Sequence, residues 1–222
     1  MIRKIALIFA FALALPMSFS KPGLAYDDGD FQYWNSESAS WKIGSDWKVT
    51  LEEEFRLGDD ATNLYYNHTD LGAAYSGLAD WITVGAHYRH ILEDKNSDWK
   101  EENRPHLNAT LKWKAHDVSF GNRARLEYRN REDAENYWRY RNKFSIKPPI
   151  KLSRFEIKPY IEDEIFYDFD EETLNRNRLY GGFSLRLIKN LSGQIYYLWE
   201  STESSDKWND THVLGTKLKL SF

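Results

Sequence analysis

The sequence predicts an all-β fold, an antiparallel up-and-down transmembrane β-barrel of about 10–12 strands. Three observations predict it: segments that alternate apolar and charged residues, connections that alternate between short and long, and aromatic residues gathered near the segment ends. Each is typical of barrels whose strands face lipid on one side and an aqueous lumen on the other.

Alternation of apolar and charged residues defines ten candidate strands after residue 46. In the first of them one parity carries Val49 and Leu51, whereas the other carries Glu52, Glu54 and Arg56. Because successive side chains of a strand point to opposite faces, such a segment has one apolar face and one charged face. Their length, about 10 to 14 residues, suits tilted strands that cross a bilayer. The ten segments are Trp47–Leu57, Leu64–Tyr75, Trp81–Leu92, Arg104–Lys114, His116–Arg129, Tyr137–Lys147, Phe155–Tyr167, Asn175–Leu187, Leu191–Glu200 and Thr211–Phe222.

The connections between these segments alternate in length, which predicts a direction. Outer-membrane barrels have short periplasmic turns and longer outer loops. The segment that starts at Trp47 is therefore expected to run outward, and Phe222 is expected at the periplasmic side. Short links are predicted at 76–80, 115–117, 148–154 and 188–190, and longer polar links at 58–63, 93–102, 130–136, 168–174 and 201–210.

Aromatic residues make up 16% of the chain, and their positions agree with that direction. Amphipathic rings prefer the depth of the lipid headgroups, so they form belts at the two membrane interfaces. The predicted periplasmic belt holds Trp47, Trp81, Trp113, Phe155 and Phe222. The predicted outer belt holds Phe55, Tyr88, Tyr128, Trp138, Tyr167, Tyr197 and Trp199.

Residues 31–43 alternate poorly and leave the strand number open. If they form a full strand the count is eleven, and an odd number places the two ends of the barrel chain on opposite sides. Two alternatives avoid this: the segment is a partial or luminal strand of a ten-stranded barrel, or an additional short strand precedes it and makes twelve.

The first 25 residues have the layout of a secretory signal peptide, which leaves residues 26–222 as one barrel domain. Arg3 and Lys4 precede an apolar run over 5–15, and cleavage after Ala25 fits the small residues there, with 18–20 as a second site. The run is about half the roughly 20 residues that a transmembrane helix needs. A mean hydropathy of -0.69 argues against a helical membrane protein, and the absence of cysteine excludes disulfides and thiolate chemistry.

Taken with these motifs, the sequence resembles a bacterial outer-membrane barrel family known only as a domain of unknown function. That resemblance spans nearly the whole mature chain and implies a location in the outer membrane without an activity or ligand. The motifs that carry it are Leu51-Glu52-Glu53-Glu54-Phe55-Arg56, Glu102-Asn103-Arg104-Pro105, Gly121-Asn122-Arg123-Ala124-Arg125-Leu126-Glu127, Tyr140-Arg141-Asn142, Lys158-Pro159-Tyr160 with Asp163-Glu164, and Asn175-Arg176-Asn177-Arg178-Leu179-Tyr180.

Strand parity assigns a basic set of side chains to the lumen and leaves most remaining acids in the loops. Inward Arg and Glu can pair across a narrow lumen and serve stability alone, or surplus cations can line a passage for small anions. The lumen-lining candidates are Glu52, Glu54, Arg56, Arg104, Arg123, Arg125, Glu127, Arg141, Glu162, Glu164, Arg176 and Arg178, with Lys48, Arg89, Lys112, Arg129, Lys143, Lys158, Arg186 and Glu200 on the same parity.

A lipid-modifying hydrolase of the outer membrane is the alternative function. Some barrels of this class carry a His and a Ser on the lipid-facing side, but no such pair shares a strand here, although a pair can meet across strands. His87 and His106 are interpreted as satisfied luminal residues, and no two histidines have a recognised metal-ligand spacing. We therefore expect no catalytic residue, cofactor, metal or nucleic acid. The expected partners are outer-membrane lipid, the barrel-assembly machinery through the strand ending at Phe222, and small anions.

Overall fold

A computed structural model of the chain describes residues 28–95, 97–150, 152, 156–204 and 207–222. The predicted signal peptide, residues 1–25, and Phe155 of the predicted periplasmic belt lie outside these ranges. No helix among the described residues is long and apolar enough to span a bilayer. The described residues form strands β1 (Asp30–Ile43), β2 (Trp47–Gly58), β3 (Asn63–Ala79), β4 (Ile82–Asp94), β5 (Trp99–Ala115), β6 (Val118–Arg131), β7 (Tyr137–Lys147), β8 (Lys158–Asp168), β9 (Thr173–Ile188), β10 (Leu191–Ser204) and β11 (Lys207–Ser221).

These strands close into one barrel in chain order, which confirms the predicted all-β barrel and its range of strand numbers. Each strand pairs antiparallel with its sequence neighbour, and β1 closes the barrel by pairing in parallel with β11. The barrel is therefore mixed, with eleven strands and one parallel seam. Because the number is odd, β1 begins at the rim opposite to the one where β11 ends.

Both sequence-based alternatives for residues 31–43 are wrong, because β1 is a complete wall strand. Its register with β11 runs without a break from Asp30 opposite Thr211 to Ser40 opposite Ser221, so no strand lies between them. The weak alternation has a local cause: the inward face of β1 mixes Trp34 with small polar side chains such as Ser36, and on the outward face Glu37 interrupts the apolar residues. Apolar periodicity is weak in a strand whose two faces each mix polar and apolar residues.

The two rims differ less in connection length than the sequence predicts. At the rim that holds Phe222, called here the C-terminal rim, the connections 44–46, 80–81, 116–117 and 189–190 are two or three residues long, but 148–157 has ten. At the opposite rim, called the acidic rim, 59–62, 95–98, 132–136 and 169–172 have four or five. The predicted long links are shorter because hairpin pairing continues into them, as from Ser201 opposite Asp210 to Ser204 opposite Lys207. Continued pairing satisfies backbone groups of polar segments.

The barrel has an inside-out distribution of polarity. Among the described residues, nineteen polar or charged side chains are buried but only eleven apolar ones. Every strand also exposes at least one large apolar side chain on its outward face, including Leu107, Leu126 and Ile146. Charged residues thus fill the interior, and an apolar surface surrounds the wall.

A short band of polar residues interrupts this outward surface at mid-height. Glu37 and Glu53 are register partners on β1 and β2, and the hydroxyl of Thr69 donates a hydrogen bond to Glu53. On the other side of the barrel, the amide of Asn177 donates to Asp163 at 2.9 Å. These hydrogen bonds pair Thr69 with Glu53 and Asn177 with Asp163 on an otherwise apolar outward surface.

Candidate functional site

The largest concentration of charged side chains lies in the lumen. A cavity of about 420 Å³ runs inside the barrel, and its walls carry fifteen Lys and Arg but only five Asp and Glu. The lumen cavity is therefore strongly basic although the whole chain has a formal net charge of -4. The cations are Lys48, Arg56, Arg89, Arg104, Lys112, Arg123, Arg125, Arg129, Arg139, Arg141, Lys143, Arg176, Arg178, Lys217 and Lys219, and the acids are Glu52, Glu54, Asp70, Glu93 and Glu164.

The twelve lumen-lining candidates chosen from the sequence all lie at this site. Ten of them line the cavity itself: Glu52, Glu54, Arg56, Arg104, Arg123, Arg125, Arg141, Glu164, Arg176 and Arg178. The other two, Glu127 and Glu162, stand behind the cavity wall and pair with cations that line it. Arg186, which parity also assigned to the lumen, is instead 65% exposed and lies near Glu156.

Two fully buried carboxylates organise the centre of the site. Glu127 on β6 accepts from Arg139 at 2.5 Å and lies 3.5 Å from Arg141 on the same neighbouring strand. Glu164 on β8 accepts from both Arg141 and Arg123 at 2.8 Å. Arg141 thus bridges the two carboxylates. Buried charges are tolerated only when they are paired and hydrogen-bonded in this manner.

Similar pairs surround this centre on the remaining strands. Several arise between residues two apart on one strand, which share a face, as in Glu54 with Arg56 at 2.6 Å. Glu102 accepts from Arg104 on its own strand and from Arg129 across to β6. The other pairs are Arg89 with Asp70 at 2.9 Å, Lys143 with Glu162 at 3.0 Å and Arg178 with Glu200.

Two aromatic rings occupy the lumen between the guanidinium groups. The guanidinium of Arg56 lies 3.6 Å from the ring centre of Trp34, and that of Arg141 lies 4.5 Å from the ring centre of Phe166. Arg178 lies 4.9 Å from both rings. Cations over aromatic faces gain electrostatic attraction in a dry environment. Both rings line the cavity at the level of the ion pairs.

The cavity opens toward the C-terminal rim, where its cations have no acidic partner. Lys48, Lys112 and Lys219 are exposed, and Lys217 is half-buried beside them. Among the described residues, no carboxylate lies within 4.0 Å of any of these four ammonium groups. We call this set the mouth lysines. The inward carboxylates thus pair with arginines deeper in the barrel, and the cations of the cavity wall without an ion pair lie at the mouth.

Sequence reasoning missed four charged members of the lumen and expected three other acidic residues in loops. Arg139, Asp70, Lys217 and Lys219 line the cavity. Arg139 has the parity of Arg141, which the sequence did assign, so strand alternation alone was sufficient to find it. Asp70 lies on β3, and Lys217 and Lys219 lie on β11, two strands whose weaker alternation led to no luminal assignment. Asp168 was expected in an outer loop, but it is the last residue of β8 and is 3% exposed, and it accepts from the backbone amide of Asp170. Glu93 and Glu102 were expected in the link 93–102, but Glu93 lines the cavity from β4 and Glu102 is buried on β5.

The luminal histidines are not all satisfied, in contrast to the expectation from sequence. His87 lies 2.8 Å from Asp70, but His106 keeps a buried ring nitrogen, Nε2, without a hydrogen-bond partner. These three residues lie 17 and 19 positions apart, intervals that are set by hairpin lengths. A search for metal-ligand motifs of short spacing therefore does not detect these three residues.

Comparison with known proteins places the chain by family alone. No curated protein matches it. The family described as "Protein of unknown function (DUF2490)" matches residues 31–211, which covers nearly all of β1, the strands β2 to β10, the beginning of β11 and every lumen-lining candidate. The resemblance to a family of unknown function is thereby confirmed. The chain belongs to the family of proteins of unknown function DUF2490.

Proposed function

We propose that this protein is an outer-membrane β-barrel whose narrow basic lumen prefers small anions. The location is supported by the inside-out polarity: a soluble barrel would leave a continuous apolar surface in water, and soluble monomers rarely expose apolar patches larger than a few hundred Å². Belts of aromatic residues add support, since Trp47, Trp81 and Trp113 are all exposed near the C-terminal rim.

The partners follow from that location. Membrane lipid surrounds the outward faces of the strands. Phe222 stacks on Trp41 of β1 with 5.7 Å between ring centres, so the end of the chain is held against the parallel seam. We propose that the barrel-assembly machinery recognises the strand that ends there.

Cellular fractionation checks the location directly. The folded protein is expected in the outer-membrane fraction, with migration in gels that changes on heating because the closed barrel resists detergent until it unfolds. Recovery in the soluble periplasm, or migration that heating leaves unchanged, would contradict a membrane barrel.

The anion preference rests on one observation, the excess of Lys and Arg over Asp and Glu on the cavity wall. Rings of basic side chains in a pore attract anions and repel cations, and arginine forks suit carboxylate and phosphate oxygens. The arginines deep in the lumen are engaged by carboxylates, whereas the mouth lysines are not. The mouth therefore supplies most of the unneutralised charge that a solute meets.

Reconstitution in planar bilayers tests this function. We expect small single-channel conductances and, across a KCl gradient, a reversal potential displaced toward that of chloride. Absence of current at any voltage supports the other use of a charged lumen, a closed barrel in which the ion pairs serve stability. Preference for potassium would contradict the proposal.

A lipid-modifying hydrolase is the second candidate, and one outward cluster favours it. Nδ1 of His90 lies 3.1 Å from the amide oxygen of Asn103, and Thr69 is the register partner of His90. A hydroxyl, an imidazole and a supporting amide are groups that acyl transfer uses. The Thr69 hydroxyl, however, donates to Glu53, which directs its proton away from His90. We therefore rank hydrolysis below anion passage.

Fatty-acid release separates the second candidate from the first. Hydrolysis of phospholipid or lipid A by the purified protein, lost in His90→Gln and kept in His212→Gln, would establish an enzyme. His212 is a suitable control because it also faces outward and bonds Tyr197 at 2.6 Å. The anion-pore proposal expects no release from either lipid.

Single-cysteine labelling is expected to show that both Asp28 and Asp60 lie at the cell surface. The chain has no cysteine, so introduced thiols are unique. The backbone amide of Asp60 bonds Asp30 at 3.1 Å, which places the start of β1 at the acidic rim. With an impermeant maleimide on intact cells, Asp28→Cys and Asp60→Cys should react alike, and Ser45→Cys, at the opposite rim, should not. If Asp28→Cys instead reacted with the maleimide to the same extent as Ser45→Cys, the parallel seam would be disproved.

A further inference from the structure

Three metal-binding side chains meet on the inner wall at strands β3, β4 and β5. Asp70 is the register partner of Arg89, and His87 is the register partner of both Gly72 and His106, so the three side chains share one face of adjacent strands. One donor atom from each of Asp70, His87 and His106 lies within 4.8 Å of the other two. We call this group the luminal triad.

The geometry of His106 leaves an electron pair aimed at a carboxylate. Its Nδ1 lies 3.3 Å from the backbone carbonyl oxygen of Arg104, and because a carbonyl can only accept, Nδ1 carries the proton. The other nitrogen, Nε2, is buried without a hydrogen-bond partner and lies 3.7 Å from Oδ2 of Asp70. Two electron-rich atoms that face each other in a buried site favour a cation between them.

His87 supplies the second nitrogen and is held in place by packing. Its Nδ1 lies 2.8 Å from Oδ1 of Asp70, and its ring stacks on that of His106 with 4.9 Å between centres. Gly72 makes room for this ring, since a Cβ at that position would lie 2.0 Å from Nδ1 of His87. Backbone and ring packing thus bring both imidazoles to the carboxylate.

Neighbouring groups match those that commonly support a metal site. Metal-ligating histidines usually donate their second nitrogen to a carbonyl, as His106 does, and ligating carboxylates are usually hydrogen-bonded in turn. Arg89 donates to Asp70 at 2.9 Å and also lies 3.6 Å from Glu52, whose negative charge offsets that of the guanidinium. His87 and Asp70 line the lumen cavity, which gives an ion a route of entry.

We propose that Asp70, His87 and His106 bind a divalent transition metal of the zinc class on the lumen wall. Two imidazole nitrogens and one carboxylate oxygen form a donor set that suits Zn²⁺, with the remaining coordination position open to the cavity. A bound ion would join three consecutive strands and add positive charge to the lumen. This site stands independently of whether the lumen conducts.

Zinc titration of the full folded chain, purified in detergent without a histidine tag and stripped with a chelator, tests the proposal. We expect one equivalent of Zn²⁺ to bind and the melting temperature to rise. His106→Gln and Asp70→Asn should each weaken binding at least about tenfold, by analogy with the effect of altering a metal's supporting groups. His90→Gln, on the outward face of β4, is the matched control and should bind as the unaltered chain does.

A second histidine cluster provides the alternative assignment within the same experiment. Glu52, Glu54 and His68 also offer three donor atoms within 4.8 Å, but Glu54 is engaged by Arg56. Loss of zinc in His68→Gln with retention in His106→Gln would overturn the assignment to the luminal triad. Cobalt absorption spectra of the unaltered chain keep the test decisive if a variant fails to fold, because absence of bound Zn²⁺ and of a ligand-field spectrum at equimolar metal also overturns it.

Discussion

Replacement of Glu127 by glutamine is expected to lower the free energy of unfolding by about 3–5 kcal/mol, the range for breaking a buried ion pair from one side. Glu127 is 0% exposed and neutralises Arg139 and Arg141, with Arg104 and Arg125 at 4.0 Å. The amide keeps the size of the side chain but removes its charge. Several buried guanidinium groups are then left close together without compensation, so the loss is large.

Urea titration of the barrel in detergent measures this change. Glu162→Gln is the matched control, because Glu162 also faces inward but is 20% exposed, and among the described residues its ion pair within 4.0 Å is with Lys143, which keeps Glu164 at 3.8 Å. We expect the control to lose about 1 kcal/mol or less, as for partly exposed pairs. Equal losses in the two variants would show that the interior is wet enough to screen the arginine cluster.

Reversing the charge of three mouth lysines is expected to invert the ion preference of the lumen. Lys48→Glu, Lys112→Glu and Lys217→Glu together change the local charge from positive to negative at positions where no described carboxylate lies within 4.0 Å of the ammonium group. Since these side chains lack ion-pair partners, their replacement leaves no buried charge behind, and the barrel should still fold. The reversal potential in a KCl gradient should move from the chloride side to the potassium side.

Lys189→Glu provides the control for that measurement. Lys189 is exposed in the turn 189–190 at the same rim, but it does not line the cavity. The Lys189→Glu substitution changes the net charge of the rim without changing the wall of the lumen, so the reversal potential should be unchanged. A triple variant that conducts with unchanged ion preference would show that the mouth lysines do not determine the selectivity.

Most of the residues that line the lumen could be predicted from sequence, because the face to which a side chain points depends on its position along a single strand. Side chains two apart share a face, so Glu52, Glu54 and Arg56 had to lie together, and so had Arg123, Arg125 and Glu127. A single correct parity for each segment therefore brings most of the charged lumen into one place, whatever the strand number.

Features that depend on several strands could not be read in this way. The parallel seam requires β1 to pair with a strand about 180 residues later, as Asn35 does when it bonds Thr216, and the mixed faces of β1 give only a weak periodic signal. The luminal triad depends on the registers of two hairpins. The lengths of the connections depend on how far hairpin pairing continues toward the turns, which composition alone does not fix.

A nitroxide scan along β6 in lipid bilayers tests the facing of the strands most directly. Spin labels at consecutive residues from 120 to 128 should alternate between two environments: Ala124 and Leu126 open to dissolved oxygen in lipid, and Arg125 and Glu127 shielded from it. The accessibility of the same labels to a water-soluble paramagnet in the lumen should alternate in the opposite sense. A scan in which both parities report equal contact with a water-soluble paramagnet, or in which Leu126 is sealed while Arg125 meets bulk solvent, would contradict a charged lumen inside a lipid-facing wall.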